Sequence, residues 1–83
     1  MDKLLTEIYC PITNKTYDMY IPLNLVFGEI KFLIANLIEY ESNSRYFKGN
    51  QIILCKYADG SIFPENKTPQ DECLKNGDKL MIF

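Results

Sequence analysis

The side chains that could carry covalent or acid–base chemistry in this chain are few. Three cysteines, Cys10, Cys55 and Cys73, stand far apart and form no C-x-x-C pair, and the chain has no histidine. Zinc sites draw on Cys and His at short, recurring spacings, so no metal is expected. Cys–His and Ser–His nucleophile pairs fail for want of the base. The nearest paired carboxylates, Glu39 with Glu41 and Asp71 with Glu72, lie on solvated stretches where nothing would shift a pKa. Glycine-rich phosphate cradles of the G-x-G-x-x-G or P-loop kind do not occur. The chain is therefore expected to be no enzyme and to hold no cofactor. Its cysteines read as free thiols of a reducing compartment. A redox thiol is the alternative, with no cationic neighbours to argue for it.

Whatever the chain does must then be done by shape and surface. Its 83 residues make one domain, 1–83, near the lower end of what folds unaided. An apolar fraction of 47%, with six tyrosines and five phenylalanines in place of tryptophan, supplies a small but adequate core. Net charge is −2, and Arg45 is the single arginine, so the basic stripe of a nucleic-acid binder is missing. The longest apolar stretch is interrupted at Glu29, Lys31 and Asn36, well short of the ~20 residues of a membrane span. Met1-Asp2-Lys3 leads into Leu4-Leu5-Thr6-Glu7 rather than a long apolar signal region, which sets the expectation of a cytoplasmic protein.

Periodicity places the elements. Lys3 to Cys10 reads as a strand with Thr6, Ile8 and Cys10 on one side and Glu7 and Tyr9 on the other. Pro11 and Asn14 break it, and "YDMYIPL" then alternates with Tyr17, Met19, Ile21 and Leu23 inward, completing a β-hairpin. A helix follows from Phe27, Ile30, Ile34, Leu37 and Ile38 at helical spacing, with Leu33 flanking and Asn24 as the candidate cap. Phe32 falls on the far side, where either the loop at Tyr46-Phe47 covers it or it makes a second contact point. After the loop "ESNSRYFKGN", the segment Gln51 to Tyr57, the turn Asp59-Gly60 and Ser61 to Phe63 read as a second hairpin. A brief helical turn over Asp71 to Leu74 and a last strand, Lys79 to Phe83, close the chain.

Two hairpins and one amphipathic helix, followed by a final strand that can pair beside the first, give an α+β, β-grasp layout. The closing pattern D-x-x-L-x-x-G-D-x-L-x-I is carried by Asp71, Leu74, Gly77, Asp78, Leu80 and Ile82. At these residues the chain resembles ubiquitin-like proteins, and more narrowly the small bacterial YukD/EsaB proteins that accompany type VII, ESX-like secretion systems. It departs from eukaryotic ubiquitin just before the helix, where Leu25 and Val26 replace a polar capping residue.

Burying Leu80 and Ile82 turns Met81 and Phe83 to the opposite face, and burying Ile52 and Leu54 turns Ile53 and Cys55 outward. Outer faces of antiparallel sheets are normally polar, so an apolar cluster there is a candidate partner site; scattered apolar surface without a partner is the alternative. In ubiquitin-like proteins this face is the usual recognition surface. The resemblance thus implies Ile53 as the central position, Met81 and Phe83 as its neighbours, and Lys56 and Lys79 as the rim. It implies a non-enzymatic protein-interaction module, a cytoplasmic accessory or regulator of a type VII-like secretion system that binds a protein component of it. Oligomeric state is left open. Two other roles of the fold are weighed beside it. A protein modifier or sulfur carrier needs a flexible Gly-Gly end, which the chain as it stands at Phe83 does not show, so that role requires a longer gene product. A ubiquitin-like domain belonging to a larger membrane-associated protein is the other.

Overall fold

A computed structural model describes residues 2–47 and 51–83. The end of the expected loop, residues 48–50, lies outside that range. Strand β1, Lys3–Cys10, buries Leu4, Thr6, Ile8 and Cys10 and exposes the residues between, apart from half-buried Tyr9. Thr6 is a polar residue on an apolar face, and its hydroxyl donates to the Met19 carbonyl at 3.1 Å, which satisfies it. Asn14, at φ 55°, turns the chain into β2, Lys15–Pro22. Asparagine accepts that left-handed conformation at little cost. The two strands pair antiparallel along their whole length, from Lys3 opposite Pro22 to Cys10 opposite Lys15.

Helix α1, Phe27–Ser42, buries Phe27, Ile30, Ile34, Ala35 and Ile38 against the sheet. Two expectations need correcting here. Leu37 is 54% exposed, because the buried stripe follows the 30–34–38 row and leaves Leu33 and Leu37 on its flank. Nor does Asn24 cap the helix: Val26 holds the cap position and makes no side-chain cap bond. The free N–H groups are satisfied from a distance. Phe27 N–H donates to the Lys67 carbonyl at 2.8 Å, and Gly28 N–H donates to the Glu65 carbonyl at 3.0 Å. The Glu65 carboxylate also receives the buried Lys31 ammonium at 2.6 Å. Phe63, stacked on Phe27 with ring centroids 4.2 Å apart, anchors the same segment.

At the other end Asn43, at φ 54°, terminates the helix, and the Asn43 and Ser44 N–H groups donate to the Tyr40 and Glu39 carbonyls. One oxygen of the Glu39 carboxylate then accepts from the Tyr46 and Phe47 amides at 2.7 and 2.9 Å. Those two donors hold its pKa below the ordinary 4.5, with a smaller contribution from Arg45. Phe32 remains exposed on the helix, with the Lys31 ammonium 5.4 Å from its ring centre.

The second hairpin is shorter than expected. Strand β3 is only Leu54–Lys56, and its return arm is a single bridge between Cys55 and Ile62. Phe63 turns inward to meet Phe27, and Pro64 has no N–H with which to continue a ladder. The expected helical turn over 71–74 is a series of tight turns, with Cys73 at φ 56° and Leu74 half-buried against the core.

Strand β4, Lys79–Ile82, lies parallel to β1 and antiparallel to β3, giving the sheet order β2-β1-β4-β3. The turn before it is clamped onto β1. Leu5 N–H donates to the Asn76 side-chain oxygen at 2.9 Å, Gly77 N–H to the Leu5 carbonyl at 2.8 Å, and Glu7 N–H to the Asp78 carbonyl at 3.0 Å. Gly77 sits at φ 91°, a backbone region closed to most side chains. The architecture is the α+β β-grasp. No helix among the described residues is long and apolar enough to cross a membrane.

Two outcomes follow from the helix ends. An added Cβ at Gly28 would lie 3.1 Å from the Glu65 carbonyl oxygen that its own N–H binds. Gly28→Ala should therefore lower stability by about 1 kcal/mol in urea unfolding, despite alanine's better helix propensity. Because the Glu39 pKa is depressed in the fold, its contribution is present above the ordinary glutamate range and is lost as pH falls through the depressed value. Hydrogen exchange at the Tyr46 and Phe47 amides, corrected for intrinsic rate, should accelerate over that acid range, and Glu39→Gln should remove the dependence.

Candidate protein-interaction face

Strand register assembles the outer face of the sheet row by row. Tyr9 of β1 stands beside Met81 of β4, Met81 stands opposite Cys55 of β3, and Cys55 bridges to Ile62. Residues paired in register share a face, so Tyr9, Met81, Cys55 and Ile62 form a continuous apolar row. One step along, Ile53 and Phe83 exchange both backbone hydrogen bonds, at 2.8 and 3.0 Å, and extend the row as a pair. One step the other way stand Lys79 and Tyr57, with the Lys79 ammonium 4.3 Å from the Tyr57 ring centre. Tyr57 also meets Tyr9 edge-to-face at 5.8 Å, across the strand between them.

Of the five residues singled out in the sequence, Ile53, Met81, Phe83 and Lys79 come together on this face. Lys56 does not. It lies opposite Leu80, so it shares the parity of the inward residues, and it lines a hollow with Cys73, Leu74 and Asp78 that Tyr57 and Lys79 of the face also border. The charged border beside Lys79 is instead Glu7, next to it in register, and Asp18 beyond Glu7. Nor does Ile53 hold the centre; Met81, flanked by Tyr9 and Cys55, does. Cys55 has the outward parity expected of it yet is only 1% exposed. Burial, and secondarily the charge of Asp59, pushes its thiol pKa up. Asp59 is itself held low by the Ser61 N–H and hydroxyl at the hairpin tip.

Three members of the face were missed in the sequence. Ile62, 65% exposed, belongs to a return arm whose parity could not be counted before its one bridge was known. Tyr9 and Tyr57 look amphipathic in isolation. Their strict alternation with Ile8 and Lys56 was the available signal.

No family model matches the chain, and no curated protein matches it by sequence. Solved structures match it closely in shape. The ubiquitin-like domain of EccD5 from Mycobacterium xenopi superposes with a TM-score of 0.82 at 11% identity, covering 100% of this chain and 94% of that domain. The chain has a ubiquitin-like fold. A chain of the MycP5-free ESX-5 inner membrane complex gives a TM-score of 0.81 at 11% identity; all of this chain corresponds to 21% of that one. Caldiarchaeum subterraneum ubiquitin gives 0.75, also at 11% identity, over 98% of this chain and 91% of that one. At these identities the likeness is one of fold.

The thiols offer a direct check on the burial of Cys55 within this face. Cys10 and Cys55 are buried and Cys73 is exposed. A thiol reagent at neutral pH should modify Cys73 alone in the native protein and all three on unfolding, as read by mass spectrometry.

Proposed function

We propose that the chain is a non-enzymatic ubiquitin-like interaction module whose outer sheet face docks non-covalently onto a protein component of a type VII-like secretion system on the cytoplasmic side. The observation that carries this reading is the apolar row Tyr9, Met81, Cys55 and Ile62, extended by Ile53 and Phe83, in which Cys55 is covered and Ile62 and Phe83 are exposed, where a sheet's outer face is normally polar. Its make-up, aromatic and methionine side chains bordered by Lys79 and Glu7, is that of an interface core with a charged rim. The secretion assignment draws on the closing motif and on the shape shared with a domain of EccD5 and with part of the ESX-5 complex. The latter match also favours a second reading, in which the chain acts as the ubiquitin-like domain of a larger membrane-complex protein.

A photo-crosslinking residue at Ile62, introduced in cells, should capture a component encoded beside the gene, identified by mass spectrometry. Met81→Asp should abolish capture. Because Met81 is half-buried, Phe83→Asp at the exposed rim serves as the second variant. Both should keep the native circular dichroism spectrum. Full capture by two folded variants would sink the proposal.

A further inference from the structure

The turn that feeds β4 carries a chemistry of its own. Asn76 is the one asparagine of the chain that is followed by glycine; each of the others precedes a residue with a side chain. In an Asn-Gly pair nothing on the second residue keeps its backbone nitrogen from reaching the side-chain amide carbon of the first. The nitrogen gives its proton to solvent base and bonds to Cγ, the Cγ–Nδ2 bond breaks, and ammonia leaves. Water then opens the five-membered succinimide at either carbonyl. One opening leaves aspartate. The other leaves isoaspartate, in which the main chain runs through Cγ and is one carbon longer.

The fold withholds both reacting groups. Asn76 Oδ1 accepts the Leu5 N–H at 2.9 Å, and the Gly77 N–H donates to the Leu5 carbonyl at 2.8 Å. Electrophile and nucleophile are thus each tied to the same residue of β1. The turn is also fastened at its neck, where the Asp78 N–H donates to the Lys75 carbonyl at 3.0 Å and the Lys75 N–H to the Asp78 carboxylate at 2.9 Å. Ring closure must break the Gly77 bond and swing the Asn76 side chain off Leu5. β1 and β4 are the inner strands of the sheet, and core strands are the last to open. The other glycine turn, Asp59-Gly60, is no rival. There the Ser61 N–H and hydroxyl hold the Asp59 carboxyl ionised, and a carboxylate resists attack by an amide nitrogen.

We propose that Asn76 is a modification site gated by β4: it stays an amide while the strand is seated beside β1, and it cyclises with Gly77 when the strand leaves. The two products differ in consequence. Aspartate keeps an oxygen for the Leu5 N–H, so the turn closes again. Isoaspartate lengthens the span between Lys75 and Asp78, and the turn no longer meets the Leu5 N–H, the Leu5 carbonyl and the Glu7 N–H together. Such a chain loses β4, and with it Met81 and Phe83 from the outer face. The site therefore records past opening of the sheet and retires the chains that opened.

The full chain, incubated in mildly alkaline buffer with and without urea, reports the gating through peptide mass spectrometry with fragmentation that separates the two products. Conversion at Asn76 should be at least about tenfold faster in denaturing urea. Ile82→Val loosens β4 without touching the turn, and without urea it should speed conversion by about two- to tenfold. Isoaspartyl chains purified from the urea sample should not regain the native circular dichroism spectrum when the urea is removed, whereas Asn76→Asp should fold. No partner is needed for any of these readouts. Equal rates in the native and unfolded chain, no response to Ile82→Val, a native spectrum from the isoaspartyl chains, or failure of Asn76→Asp to fold would each overturn the proposal.

Discussion

The fold turns on one contact, the parallel pairing of β4 beside β1 in the middle of the sheet. Everything between residues 10 and 79 is a detour that must return the chain to that line. Parallel neighbours cannot be joined by a tight turn. The return is fixed where Asn76, Gly77 and Asp78 lie along β1, with the Asn76 side chain taking the Leu5 N–H that a backbone carbonyl would otherwise meet. Once β4 is set there, Leu80 and Ile82 face the helix with Ile8 and Leu54. Met81 is forced to the other side.

The central pairing also decides what each face can become. With β1 and β4 inside the sheet, the outer face around Met81 runs across both of them, and β3 widens it although it is only three residues long. Its single bridge to Ile62 places one more apolar side chain in the row. The outer edges fare unequally. That of β3 is shielded by the arm that returns from it, whereas that of β2 runs eight residues with half its polar backbone unclaimed. One small domain thus presents an apolar face and a hydrogen-bonding edge, with Asp18 at the margin of both.

Much of this was legible in the residues. Alternation gave β1, β2 and β4 with the right parity, Asn14 marked its turn, and the order of elements pointed to the β-grasp. What escaped legibility was set by contacts distant in sequence. Lys56 has the local look of a rim residue, and only its register opposite Leu80 turns it inward. Asn24 is a plausible cap by type, but the carbonyls of Glu65 and Lys67 reach the helix first. Leu37 fits the apolar stripe by spacing; the buried row through Ile30, Ile34 and Ile38 leaves it at the border. Cys55 obeys the alternation and is buried nonetheless, because its neighbours in register are large.

The distant cap of α1 bears on how the protein comes into being. Local N-caps let a helix form early, before the rest of the chain has collapsed. Here the groups that complete the first turn come from residues 65 and 67, nearly forty positions downstream, and that segment is itself anchored by the ring of Phe63 on Phe27. The first turn and the loop must therefore be won together, as a closure of long sequence separation rather than a local event. Such closures slow the search for the native state and weld distant segments into one cooperative unit. On that account the helix and the second half of the chain are a single folding element, although they are written apart.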